Sequence, residues 1–60
     1  MKALYYVVYV GGLSYYFDLN ELAKALDFSK GYWLVQMAYI DGGRSLRYRN
    51  YDKQKDEFVG

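Results

Sequence analysis

The stretch "KALYYVVYVGGLSYYF" constrains this chain more than any other. Lys2 to Val10 is dense in β-branched and aromatic residues, and both of its alternating faces are apolar. Ala3, Tyr5, Val7 and Tyr9 point one way, and Leu4, Tyr6, Val8 and Val10 point the other. A strand of that kind sits at the centre of a sheet, or carries an exposed face used for contact. Gly11 and Gly12 follow and accept positive φ without steric cost, as a tight hairpin requires. "LSYYF" then reads as the returning strand.

"FDLNEL" marks the change to helical periodicity. Asp18 is placed to cap free N–H groups, and Glu21 three residues on can bond back, a capping box. Phe17 before the cap and Leu22 beyond it have the spacing of a hydrophobic staple. Leu19, Leu22, Ala23 and Leu26 then form one helical face, with Asn20, Glu21, Lys24 and Asp27 on the other. The helix is short and needs a sheet beneath it. Phe28 is expected to close the core at its end, and Gly31 to stop it.

Beyond the helix, "YWLVQMAYI" reads as a third strand, "DGG" at 41–43 as a hairpin turn, and "RSLRYRNY" as a fourth strand. "DKQK" is turn-like, and two readings of "DEFV" stand, a short fifth strand or a cover for the core through Phe58. The fold class is α+β: an antiparallel or mixed sheet of four to five strands with one short helix on one face, in a single domain spanning residues 1–60. A grasp-like arrangement, with two hairpins flanking the helix, is the leading topology, and a simple meander after the helix is the alternative.

Composition sharpens the functional reading. A chain of 60 residues buries only about 60% of the surface of its unfolded form. It has no Cys and no His, so disulfide and metal staples are both missing and side chains alone must build the core. Nine of its 13 aromatic residues are Tyr, too many for so small a core. With one helix covering one sheet face, the uncovered face is expected to be an aromatic surface, and patches of that kind mark interaction sites.

The same inventory argues against catalysis and metal chemistry. There is no imidazole base and no thiol nucleophile, and Ser14, Ser29 and Ser45 lie in no nucleophile motif. Asp18 and Glu21 are explained by capping. Asp52, Asp56 and Glu57 do not match a calcium loop, and neither glycine pair is followed by the Lys-Ser/Thr of a phosphate loop. No catalytic residue, metal or cofactor is therefore expected. No segment reaches the roughly 18 apolar residues of a membrane span, and the N-terminal run lacks a signal-peptide cleavage site, so the expected compartment is the cytoplasm.

Binding remains. The net charge is +1, with residues 1–43 at −1 and residues 44–60 at +2. In "RSLRYRNY", Leu46 and Tyr48 share one face and are expected to anchor the strand to the core. Arg47, Arg49 and Tyr51 share the other face, with Arg44 at the strand start. Arginines and rings on one strand suit single-stranded nucleic acid, and they are also the residues enriched in protein hot spots. The second surface is the tyrosine set of the first hairpin. The candidate partner-binding residues are Arg44, Arg47, Arg49, Tyr51, Tyr5 and Tyr9. The near-neutral charge favours a protein or nucleoprotein complex as partner, with single-stranded nucleic acid as the alternative, no membrane, and a monomeric or homodimeric chain.

"MKALYYVVYVGGLSYYFDLNELAKAL" followed by "WLVQMAYIDGGRSLRYRNY" resembles, in size and layout, small phage-encoded inhibitors of the anti-CRISPR type. The resemblance implies a compact, non-enzymatic domain that blocks a host nuclease complex in the host cytoplasm by occupying one of its surfaces. The near-zero charge departs from the acidic DNA mimics of that group and points to steric docking.

Overall fold

The computed structural model describes residues 1–30 and 34–60. It is an α+β fold with one five-stranded antiparallel sheet. The strands are β1 (Lys2–Val10), β2 (Leu13–Phe17), β3 (Val35–Ile40), β4 (Leu46–Asp52) and β5 (Glu57–Val59), and the helix is α1 (Leu22–Ser29). Strand order is β2-β1-β3-β4-β5. The grasp-like topology is therefore replaced by the meander. β3 returns antiparallel beside β1, from Val8↔Val35 to Lys2↔Ile40, and β4 and β5 follow in turn. β2 and β3 are both antiparallel to β1, so they run the same way with β1 between them. Joining two such strands takes a crossover rather than a tight turn, and α1 provides it by passing over β1.

That crossing decides the helix face. Leu22, Ala25, Leu26 and Ser29 point inward, with Ala25 and Ser29 fully buried. Ala23 is exposed and Leu19 is 39% exposed, unlike the expected stripe. Residues Leu19–Glu21 form a single 3-10 turn, whose three-residue period puts Leu19 out of phase with the α-helix. Small residues at 25 and 29 let the helix approach β1 closely. Ser29 satisfies its hydroxyl by donating to the Leu26 carbonyl (2.8 Å). The Asp18 N–H donates to the Glu21 carboxylate (3.0 Å), the Glu21 half of the capping box. Phe28 does not close the core. It is 45% exposed and packs its ring on Tyr15 and Phe17 of β2, with centroids 4.8 and 5.7 Å away. The helix ends at Lys30, which takes the left-handed conformation (φ 38°) and donates its N–H to Leu26. Gly31, Tyr32 and Trp33, expected as helix stop and strand start, lie outside the described residues.

The helix-side core joins Tyr6 and Val8 of β1, Ala25, and Val35 and Met37 of β3. Ala3 belongs to this face too, because the β1–β3 register shifts between Ala3 and Tyr5 and leaves Leu4 as an extra residue. The helix covers the β2–β1–β3 half of the face. Over the other half the sheet curls inward, so Phe58 of β5 stacks on Tyr6 (centroids 5.4 Å, planes 11° apart) and meets Tyr51 edge-on (5.3 Å).

The turns carry their own chemistry. Gly11 (φ 58°) and Gly12 (φ 81°) make the β1–β2 hairpin as expected. In the β3–β4 hairpin the left-handed position is taken by Arg44 (φ 66°) rather than by a glycine. The Asp41 carboxylate compensates by accepting N–H bonds from Gly43 (2.8 Å) and Ser45 (3.0 Å). Arg44→Gly is expected to raise stability by about 1 kcal/mol, since a left-handed non-glycine residue costs about that much. A urea titration reads the effect, and an unchanged or lower midpoint would contradict it.

Candidate functional site

The face of the sheet away from the helix is the candidate site. Register places Tyr5, Val7 and Tyr9 of β1 on it, with Ser14 and Tyr16 of β2, Gln36, Ala38 and Ile40 of β3, and Leu46, Tyr48 and Asn50 of β4. No helix covers these residues, yet Val7 is 1% and Ala38 0% exposed. Tyrosines shield them. One cross-strand row reads Tyr5–Ala38–Tyr48, so a small residue lies between two rings. The neighbouring Tyr48 hydroxyl, then burial and the Tyr16 and Tyr9 phenols, raise the Tyr5 phenol above its ordinary pKa. The next row reads Tyr16–Val7–Gln36–Asn50. Tyr16 meets Tyr5 edge-on at 5.6 Å, and the Gln36 amide donates to Asn50 at 2.7 Å. The outcome is a layer of phenol rings, with Tyr16 (67%), Leu46 (49%) and Tyr48 (43%) standing out to solvent.

The six candidate residues do not form one patch. Tyr5 and Tyr9 lie on this open face, half-buried. Arg47, Arg49 and Tyr51 lie on the opposite face of β4, as alternation required. However, that is the helix side, so Leu46 and Tyr48 are the exposed pair and do not anchor the strand in the core. Arg47 is held by Asp41, whose carboxyl is pushed below its ordinary range by the Ser45 N–H, then by Arg47 and Gly43. The Arg49 guanidinium rests over the Tyr39 ring at 5.0 Å, and its stem lies against Gly60. Tyr51 packs on the core and donates its hydroxyl to Asp56, which raises its pKa. Arg44 stands exposed at the hairpin tip, and Arg47 is exposed too despite its ion pair.

Tyr16, Tyr48 and Leu46 are the site residues missing from the candidate set. The signal for the last two lay in β3. Gln36 and Ala38 are its polar and small positions, and the hairpin pairs Ile40 with Leu46, so Leu46 and Tyr48 must share the Gln36 face.

No protein-family model matches the chain. No curated protein and no solved structure matches it either. Among the described residues there is no pocket, no group of three His, Cys, Asp or Glu side chains that could hold a metal, and no helix long and apolar enough to cross a membrane. The described residues present a broad face of rings and no recess for a small molecule.

Proposed function

We propose that this chain is a non-catalytic binding domain that docks on another protein through the open tyrosine face. The observation that carries the proposal is the tyrosine layer over Val7 and Ala38, with Tyr16, Tyr48 and Leu46 projecting from it. Rigid tyrosines give large contact area at small entropic cost, and exposed apolar patches on small domains mark contact sites. Blocking a partner by covering its surface, the role implied by the resemblance to phage inhibitors, needs nothing beyond such a face.

The nucleic-acid alternative is less well supported. It needs free arginines beside stacking rings, but Arg47 is engaged by Asp41 and Arg49 by Tyr39, both away from the open face. The two readings differ in salt response. Three phosphate contacts to a single strand would weaken binding roughly 20-fold between 50 and 200 mM salt. Docking through tyrosines is expected to change less than about threefold, because screening acts on charges and not on buried rings. Affinity for the partner captured from the natural host, measured across that range, decides between them. The steep slope, together with binding to random oligonucleotides, would reverse the proposal.

A further inference from the structure

The free edge of β2 is built unlike the other edge of the sheet. β5 has three residues, begins at Glu57 and follows the charged turn Lys53–Asp56. Short, charged edges resist pairing with other chains. β2 reads Leu13-Ser14-Tyr15-Tyr16-Phe17, with no charge, no proline and no bulge. Its outward groups follow from the ladder. Tyr9 donates its N–H to the Leu34 carbonyl, on the β3 side of β1. Its partner Ser14 must therefore turn its own N–H and C=O away from β1, and so must Tyr16, two residues on. Among the described residues neither amide has a partner.

From this edge we infer that two copies of the chain pair through β2, antiparallel about a two-fold axis at Tyr15, into one continuous ten-stranded sheet. The pattern is self-complementary. Ser14 faces Tyr16 of the second copy, and Tyr16 faces its Ser14, so the four outward N–H and C=O groups of each strand are satisfied and a small side chain meets a large one twice. On the helix side Tyr15 meets Tyr15 of the second copy, and Leu13 meets Phe17. Leu13, Tyr15, Tyr16 and Phe28, exposed by 60, 38, 67 and 45%, lie along this edge. At roughly 200 Å² for a fully exposed large side chain, they give each copy roughly 400 Å² of apolar surface to bury. A pair then buries at most roughly 800 Å² of this apolar surface, below the roughly 1,200 Å² of stable specific interfaces, so the dimer is weak and forms only at high concentration. Nothing charged lies on the strand, so a second copy meets no like charge there. The inference does not depend on the open face having a partner.

Sedimentation equilibrium from roughly 5 µM to 1 mM tests this. The mass is expected to rise from 7.1 kDa toward twice that value. Ser14→Pro removes only an outward N–H, and Tyr15→Lys places two like charges on the axis, so each variant is expected to stay at the chain mass. Tyr48→Ser, on the open face, is expected to dimerise as the parent does. In the unmodified chain the Ser14 and Tyr16 amides are expected to exchange at least about tenfold more slowly at high concentration than at low. A constant chain mass, or exchange at these two amides independent of concentration, overturns the inference. So does a dimer lost in Tyr48→Ser but kept in Ser14→Pro, which would place the contact face to face. If both edge variants lose their fold, the exchange measurement decides alone. If an extended peptide protects the two amides while the chain stays at single mass, the edge takes a foreign strand and the dimer is ruled out.

Discussion

Tyr6→Ala is expected to remove about 3 kcal/mol of stability, the lower bound for deleting a large buried aromatic side chain. For this chain that is a large share of the total, since a 60-residue domain holds roughly 3–9 kcal/mol. Tyr6 is 9% exposed in the middle of the helix-side core. Its ring lies flat against Phe58, which belongs to the edge strand at the far end of the sheet. The helix does not reach that end, so the Tyr6–Phe58 stack is what holds the curled strands β4 and β5 over the core. Truncating the ring both opens a cavity and releases the curl. Tyr6→Phe keeps the stack and is expected to cost less than about 1 kcal/mol. Urea unfolding of the two variants beside the parent measures the difference. A Tyr6→Ala midpoint close to the parent's would mean that β5 is held by other contacts.

The second large effect concerns the open face. Tyr16→Ala and Tyr48→Ala are each expected to weaken partner binding roughly 30-fold, the effect of losing a hot-spot aromatic. Together the loss is roughly 1,000-fold if the two act independently. Both rings are exposed, so the fold should tolerate their removal. Arg47→Ala and Arg49→Ala are expected to stay within about threefold of the parent, because both guanidiniums already have partners inside the chain. Titration calorimetry against the captured partner gives the four constants. If the arginine variants lose binding and the tyrosine variants keep it, the contact lies on the helix side of β4. Tyr5 and Tyr9 make less clean probes, since removing either uncovers buried neighbours.

The first hairpin was legible to the residue. The strands of "KALYYVVYV" and "LSYYF" end where the sequence pattern ends them, because two consecutive glycines between apolar strands supply the positive φ that a tight turn needs. The helix start was also legible, but its inward face was not. That face depends on the 3-10 first turn and on α1 having to cross β1 closely, and neither is written in the apolar spacing. The same limit applied to the fourth strand. Alternation separated Leu46 and Tyr48 from Arg47 and Arg49 correctly, but which pair faces the core depends on the partner strand. Hydrophobicity assigned the apolar pair to the interior. Register with β3 turns the arginines to the helix side instead, where Asp41 pairs with the exposed Arg47 and the Tyr39 ring lies under the half-buried Arg49.

Leu4 is the one residue of β1 that belongs to neither alternation. Without it, Ala3 would join Tyr5 directly, and every side chain of the strand would keep its present face. Loss of any single residue from Tyr5 to Val10 would instead exchange core for surface along one whole side of the break. The strand thus holds its length variation at a single place. A descendant of this sequence could shorten by one residue there and still present the same tyrosine layer.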